Sequence, residues 1–272
     1  MVIKIKIAAG EKRRVRREGS NHMNEETVDE ILDGTLRVRQ GRTGYRFNLD
    51  SLLLGHFVSL KPRSVNLDLG CGNGILALVL ASRYPLTHWT GLEIQEGLAG
   101  LSHRNVGENG LQERVKIFCG DAREVRNQFA EKSFDNVVFN PPYRKLSSGR
   151  MNPLPEKAVA RHEIKGSLRD FLAASAYLLK PSGRVFTIYP AKRLVELVAL
   201  FRQNHIEPKR MRLVFSDVAS DAEFVLVEGR KGAREELKME PPLFIYDRPG
   251  KYTKAMEEVF TGLASPQGSG AG

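Results

Sequence analysis

The segment at residues 64–83 restricts the fold more than any other part of this chain. An apolar run at 64–69 is followed by a turn at 70–74 in which every second residue is glycine, and then by a second apolar run at 75–83. This pattern predicts a strand, a tight turn and a helix, the first unit of a Rossmann-like α/β fold. Because glycine lets a ligand lie close against the backbone, the turn predicts a cofactor site.

The glycine turn supplies the first candidate binding residues. We expect the backbone of Gly70 and Gly72 to approach the cofactor, with Cys71 as a small packing residue rather than a nucleophile. A G-x-G pattern also suits a nicotinamide cofactor, but the spacing here is G-x-G-x-G instead of G-x-G-x-x-G. It resembles motif I of S-adenosylmethionine (SAM) methyltransferases. That resemblance implies that Asp68 orders the turn and the methionyl amine of SAM.

Two further acidic residues lie at the ends of predicted strands: Glu93 in the last part of the strand at 88–94, and Asp121 just after the strand at 115–119. Glu93 is placed to accept both ribose hydroxyls of a nucleotide-like cofactor. Asp121 resembles the acidic residue that meets the cofactor adenine in SAM methyltransferases, although it also suits a helix N-terminus. Their neighbours Ile94 and Ala122 complete the predicted cofactor contacts, together with the asparagine described next.

A buried strand is predicted at 134–139, and it ends in Asn140, Pro141, Pro142 and Tyr143. Proline has no N–H for a sheet, so the strand must stop there. This presents Asn140 and Tyr143 at the carboxyl edge, where open α/β sheets bind ligands. The competing interpretation is a strand end with an ordinary proline turn.

These four residues predict methyl transfer to a planar amino nitrogen. The side-chain oxygen of Asn140 and the carbonyl of Pro141 can both accept hydrogen bonds from an NH₂ group, which stabilises the positive charge that develops on the attacked nitrogen. The two prolines fix the spacing of these acceptors, and Tyr143 can stack on the substrate plane. The sequence resembles the N-P-P-Y signature of methyltransferases that act on adenine N6, guanine N2 or glutamine.

The net charge of +10 favours a polyanionic partner such as RNA. Basic residues cluster at 12–17 and again in the stretch 144–162 that follows Tyr143. We therefore expect the basic N-terminal arm and this loop to contact nucleic acid phosphates. Solubility alone is the competing explanation of the charge.

Composition excludes several classes of protein. No apolar stretch is long enough to span a bilayer, and no signal-peptide pattern is visible. The 2 cysteines are too few for a disulfide framework, and the 6 histidines lack metal-ligand spacing. We expect a cytoplasmic protein with no membrane association and no metal site; the oligomeric state stays open.

The chain divides into four predicted regions: a basic flexible arm at 1–24, an N-terminal subregion packed on the core at 25–62, a SAM-dependent methyltransferase domain at 63–260, and a disordered tail at 261–272. The predicted domain is α/β, a Rossmann-like class I methyltransferase with a seven-stranded, mostly parallel sheet. Its closing antiparallel pair is placed at 211–215 and 224–228. In a helix at 191–204 we place Val195, Val198, Ala199 and Phe201 in the core.

The whole pattern resembles the bacterial valine-tRNA adenine N6-methyltransferase family, which modifies the adenine beside the anticodon. The matching residues are 27–29, 36, 40, 44–47, 50–51, 68–74, 140–143, 160–162 and 252–253. The resemblance implies that Asn140 and Pro141 bind the target amine, that Tyr143 stacks on the adenine, and that tRNA is the partner. The basic arm at 1–24 is not part of this pattern.

Three alternatives remain open on the sequence. One is a glutamine N5-methyltransferase of release factors, although that family's separate N-terminal helical domain is not visible here. Another is an rRNA guanine N2-methyltransferase. Tyrosine rather than phenylalanine at position 143, after the two prolines, favours adenine over guanine. The third, a non-catalytic RNA-binding module, is disfavoured by the intact Asp68, Glu93 and Asn140.

Overall fold

The computed structural model describes residues 26–41, 49–141 and 166–267, and it begins with a small antiparallel hairpin. Strand β1 (Glu26–Ile31) pairs with β2 (Leu36–Gly41) across a turn that contains Gly34. Alternate β2 residues, Leu36, Val38 and Gln40, are buried, as expected for a strand with one face on the core. Helix α1 (Leu49–Phe57) follows and is buried along almost its whole length.

Seven long strands form the centre of the main sheet: β3 (Val65–Leu69), β4 (His88–Glu93), β5 (Val115–Cys119), β6 (Phe134–Phe139), β7 (Leu179–Pro190), β8 (Ile206–Phe215) and β9 (Ala222–Lys231). Their spatial order is β8-β9-β7-β6-β3-β4-β5. All neighbours from β7 to β5 are parallel, whereas β9 runs antiparallel to both β7 and β8. The predicted α/β class and its closing antiparallel pair are confirmed.

The predicted count of seven strands is too low. Within the described residues the sheet has nine strands, because β10 (Lys238–Met239) and β11 (Leu243–Phe244) both pair in parallel with β8. Each is only two residues long, so neither leaves an alternating pattern in the sequence. A separate hairpin of β12 (Tyr246–Arg248) and β13 (Lys251–Tyr252) follows.

The sheet separates two hydrophobic cores. Residues of β6 alternate between them, with Val138 on one face and Val137 and Phe139 on the other. Helices α1, α2 (Ile75–Arg83) and α6 (Lys254–Ala264) cover the first face, and α4 (Leu168–Leu178) and α5 (Leu194–Gln203) cover the second. Helix α3 (Glu96–Glu108) packs beside β5 and the β1–β2 hairpin.

Two details of the predicted helices are wrong. The predicted boundary at residue 261 is wrong, because α6 continues to Ala264 and buries Leu263 against the core; residues 268–272 lie outside the described ranges. In α5, Val195 is 84% exposed and Leu197 and Leu200 are buried instead. The predicted core face is displaced around the helix by part of a turn, since Phe201 is the only one of the four predicted positions that is fully buried. None of the helices in the described ranges is long and apolar enough to span a membrane.

Candidate active site

The carboxyl ends of three adjacent parallel strands, β4, β3 and β6, form the candidate active site. Residues of β3 are paired to β4 on one side and to β6 on the other. Beyond β3, the N–H groups of Gly70 and Cys71 both donate to the carbonyl of Leu92, at 2.7 and 3.0 Å. The glycine turn is thereby fixed to the end of β4, at the edge where the predicted ligand site lies.

The glycine turn has the backbone conformation that its sequence predicts. Gly70, Gly72 and Gly74 have φ values of 77°, 59° and 83°, in the region that other residues rarely adopt. Gly74 is the N-cap of α2, and a Cβ atom there would lie 2.3 Å from Oγ of Ser102 in α3. The third glycine therefore serves both the turn and the close approach of α3.

Asp68 is a buried carboxyl group at the end of β3, with an exposed fraction of 2%. Its Oδ2 accepts a hydrogen bond of 3.2 Å from the N–H of Ala77 in the first turn of α2. Burial, reinforced by the nearby charge of Glu93, raises the pKa of Asp68 to about 7, and the Ala77 hydrogen bond opposes this rise. A cation placed beside Asp68 would offset that cost, so the residue suits the ammonium group predicted for it.

Glu93 links the glycine turn to the end of β4. Its Oε2 accepts from the N–H of Gly72 at 2.9 Å, and its Oε1 accepts from the N–H of Gln95, also at 2.9 Å. Ile94 follows half-buried, and its carbonyl lies 3.9 Å from Sγ of Cys119. The structure brings Glu93 to the predicted site; its contact with ribose stays a prediction.

Asp121 is the N-cap of a 3₁₀ helix at Ala122–Asn127 that follows β5. Its carboxylate accepts from the N–H of Arg123 at 2.8 Å and pairs with the guanidinium of that residue. The Arg123 side-chain hydrogen bond holds the pKa of Asp121 below its ordinary value. Asp121 thus has the capping role weighed in the sequence, while Ala122 is buried beside it.

Asn140 directly follows β6, and its side chain contacts α1. The Nδ2 group donates to Oγ of Ser51 at 3.4 Å, and Ser51 is 2% exposed in the first turn of that helix. Pro141 is buried next to it, whereas Pro142, Tyr143 and the loop at 144–162 lie outside the described residues. Ser51 was not among the predicted site residues. Its sequence signals were its place beside Asp50 at the start of a helix and its inclusion at 50–51 in the family resemblance.

Cys71 occupies the interior of the turn. Its side chain is 4% exposed, and its Sγ lies 3.9 Å from Oγ of Ser102. Burial, together with the charges of Asp68 and Glu93, raises the pKa of the Cys71 thiol. This environment suits the packing role expected for it. Within the described part of the chain, no group of three or more His, Cys, Asp and Glu residues is arranged to hold a metal ion.

Comparison with known proteins decides the family. Residues 49–203 match the model of the methyltransferase small domain. The chain belongs to this family. Its relatives include the tRNA1(Val) (adenine(37)-N6)-methyltransferase of Vibrio cholerae. That enzyme is 31% identical to this chain over 167 residues, which are 61% of this chain and 67% of the relative. The enzyme of that name from Haemophilus influenzae is 28% identical over 234 residues, 82% of this chain and 92% of the relative. The resemblance predicted from the sequence is confirmed.

Solved structures confirm the fold of this methyltransferase small domain protein. A crystal structure of a predicted O-methyltransferase from Agrobacterium tumefaciens superposes with a TM-score of 0.65 at 20% identity, covering 79% of this chain and 97% of that one. The [4+2]-cyclase SpnF matches with a TM-score of 0.53 at 16% identity, covering 72% and 85%. Since a cyclase has a related fold, the fold alone does not determine the chemistry.

The residues of the turn fit SAM, the methyl donor of this methyltransferase class. Two buried carboxyl groups, of Asp68 and Glu93, stand at adjacent strand ends, and the turn between them has glycines where a ligand must approach the backbone. Asn73, in the middle of the turn, is fully buried, and its Nδ2 has no hydrogen-bond partner within the described ranges. A buried donor without a partner in the turn is consistent with a site built for a polar ligand.

Proposed function

We propose that this protein transfers a methyl group from SAM to the exocyclic N6 amine of an adenine in tRNA, beside the anticodon. The observation that carries the proposal is the position of Asn140 and Pro141 at the end of β6, the strand that pairs with β3, which contains Asp68. The names of the relatives from Vibrio cholerae and Haemophilus influenzae supply the acceptor, an adenine of tRNA.

The cofactor would be held at the ends of β3, β4 and β5. Asp68 would bind the methionyl ammonium and Glu93 the ribose hydroxyls, while the backbone of Gly70 and Gly72 borders the ligand and the Asp121–Ala122 corner faces the adenine of the cofactor. When bound, SAM supplies an electrophilic methyl group on a sulfonium. Residues of this chain would orient the acceptor nitrogen and stabilise the charge that develops on it.

Asn140 and Pro141 would orient the acceptor nitrogen. The lone pair of an adenine amine is delocalised into the ring, and hydrogen bonds from its two N–H groups to the Asn140 Oδ1 and the Pro141 carbonyl favour a nitrogen with more lone-pair density. The same acceptors stabilise the positive charge that develops as the new N–C bond forms. No general base is needed, because the proton becomes acidic only after transfer and then leaves to solvent.

Ser51 supports this geometry from α1. Because the Nδ2 of Asn140 donates to Oγ of Ser51, the other atom of the amide, Oδ1, is defined as the acceptor. Tyr143 would stack on the adenine ring, as aromatic side chains do with bases taken out of a stack. The basic arm at 1–24 and the loop at 144–162 would contact tRNA phosphates.

The glutamine and guanine alternatives use the same pair of acceptors, so Asn140 and Pro141 do not separate them. The adenine acceptor is preferred because the similar curated relatives quoted above are named for it. Glutamine of a release factor is the second candidate, and it is distinguished by the macromolecule that takes up the methyl group.

Replacement of Asn140 by alanine tests the assigned catalytic role. We expect turnover of tRNA to fall by about two orders of magnitude or more, as when one preorganised hydrogen-bonding group is removed from a catalytic site. The affinity for SAM, measured by calorimetry, should change little. An Asn127→Ala variant, in the exposed 3₁₀ helix, serves as the control and should keep full activity. Equal losses of SAM affinity and turnover in Asn140→Ala would contradict the role.

A further inference from the structure

Helix α3 carries an unusual stripe of polar side chains on the face that packs into the protein. Ser102 and Asn105 lie in the helix and Asn109 is its C-cap residue. They stand three and four residues apart, so their side chains lie on one side of the helix. Ser102 and Asn105 are fully buried. Buried polar side chains are more informative than buried apolar ones, because each needs partners that offset its loss of water.

Two of these residues form hydrogen bonds with the backbone of β2 at the edge where a neighbouring strand would otherwise pair. Oδ1 of Asn105 accepts from the N–H of Arg39 at 2.8 Å, and its Nδ2 donates to the carbonyl of the same residue at 3.0 Å. Asn109 makes the equivalent pair with Arg37, at 2.9 and 2.7 Å. Because β1 pairs with β2 on its other edge, the two carboxamides satisfy backbone groups of β2 that would otherwise face no strand.

Asn105 has one contact that Asn109 lacks. Its Nδ2 also donates to the carbonyl of Asn73, in the glycine turn, at 2.9 Å. The second Nδ2 bond of Asn109 instead returns to its own helix, to the carbonyl of Asn105. Asn105 therefore bridges the hairpin and the cofactor turn, whereas Asn109 binds the hairpin alone.

The turn depends on α3 at a second point. Oγ of Ser102 lies against Gly74, where no Cβ atom could be accommodated without movement. The side of the turn formed by Asn73 and Gly74 is thus held in place by α3. A change in the position of α3 or of the hairpin that it binds would be transmitted to the backbone that borders the cofactor.

We propose that Asn105 is a positioning residue of the cofactor site, which couples docking of the β1–β2 hairpin to the affinity of the glycine turn for SAM. The hairpin lies outside residues 49–203, the part of the chain that matches the family model. The inference rests on the proposed function only through SAM binding and does not depend on which amine is methylated.

Ion pairs also join the hairpin to α3, but they are a weaker explanation of the docking. Glu26 of β1 pairs with Arg104, and Arg39 of β2 pairs with Glu108. These side chains are 29–52% exposed, and exposed ion pairs contribute little to stability. The specific geometry of the docking comes from the two carboxamides.

Matched substitutions of the two asparagines test the proposal. Asn105→Ala and Asn109→Ala each remove two hydrogen bonds to β2, but only the first removes the bond to the turn. In hydrogen–deuterium exchange without SAM, both variants should show faster exchange across the hairpin. In calorimetry, Asn105→Ala should bind SAM about tenfold more weakly, a typical coupling between sites, and Asn109→Ala should bind within about twofold of the wild type.

The wild type supplies a reciprocal readout. Saturating SAM should slow exchange of the Arg39 amide hydrogen severalfold, because coupling between two sites acts in both directions. Asn105→Ala should abolish that effect. Turnover of Asn105→Ala at saturating SAM should stay within about twofold of the wild type, since a positioning residue of the cofactor turn changes affinity rather than the methyl-transfer step.

Equal SAM affinities for the two alanine variants, whether both are normal or both are weakened, would overturn the proposal, because Asn105 would then be only an anchor of the hairpin. Asn105→Asp keeps the acceptor for Arg39 and lacks the Nδ2 donor, so it decides the question if the alanine variant does not fold. Wild-type protein that binds SAM but does not methylate tRNA would contradict the proposed function and leave this inference intact.

Discussion

At the scale of single residues, Asp68 has a pKa raised to about 7, because the side chain is buried and the carboxylate of Glu93, 25 residues away in the chain, lies nearby. The carboxyl group is held near the point where it changes charge at neutral pH.

The raised pKa of Asp68 predicts a pH dependence of SAM binding. The ionised form attracts the methionyl ammonium and the protonated form does not, so the dissociation constant should rise by about tenfold as the pH falls from 8 to 6. Asp68→Asn should bind SAM weakly and without this dependence. Calorimetry across the range checks it; a wild-type affinity that is constant from pH 8 to 6 would show that Asp68 is already ionised throughout.

The same residue predicts a gain in stability when its charge is removed. Because its pKa is higher in the folded protein than in the unfolded chain, ionisation of Asp68 lowers the free energy of unfolding as the pH rises through about 4 to 7, by on the order of 4 kcal/mol. Asp68→Asn avoids this loss but adds a buried amide donor that costs about 1–3 kcal/mol if it has no partner.

We therefore expect Asp68→Asn to be more stable than the wild type by about 1–3 kcal/mol at pH 8 and to lose that advantage below pH 4. Urea unfolding at the two pH values measures the difference. A variant less stable than the wild type at pH 8 would mean that the ionised carboxylate is stabilised by its surroundings.

At the scale of elements, two glycine-to-alanine changes should alter the free energy of unfolding in opposite directions, because one glycine lies where the turn packs against α3 and the other has free space around it. Gly74 has a φ of 83° and would place a Cβ atom 2.3 Å from Ser102, whereas a Cβ on Gly100 within α3 would lie 4.0 Å from its nearest neighbour, the Arg104 side chain. We expect Gly100→Ala to raise the free energy of unfolding by about 1 kcal/mol, since alanine favours helix.

Gly74→Ala should instead lower the free energy of unfolding by about 1–3 kcal/mol and weaken SAM binding, because it strains the backbone and displaces Ser102. Urea unfolding of the two variants beside the wild type provides the measurement. If both variants gained stability, the packing of α3 against the turn would be looser than described.

Several elements could be predicted because their patterns are local. The strand before the glycine turn, the strand that ends at Asn140 and the antiparallel pair of β8 and β9 all follow from runs of apolar residues. The phase of α5 could not, since Val195 and Leu197 are both apolar and only the tertiary packing decides which is buried. Strands β10 and β11 are too short for a sequence pattern.

At the scale of the whole molecule, the sequence predicted the edge of the sheet where the site lies but not how distant segments complete it. Asn140 contacts Ser51 from 89 residues earlier, and Asn105 joins Arg39 from 66 residues earlier. Hydrogen bonds of this kind leave no periodicity in the chain. Sequence motifs therefore predict the candidate site residues, while the contacts of Ser51 and Asn105 are visible only in the tertiary structure.

The most direct test of the account is methyl transfer from labelled SAM, offered in parallel to unmodified total tRNA and to release factors, with nucleoside analysis of the labelled RNA and with Asn140→Ala as the inactive control. We expect label in tRNA, recovered as N6-methyladenosine, and none in release factors. Label on glutamine of a release factor, or on guanine, or in neither pool, would contradict it.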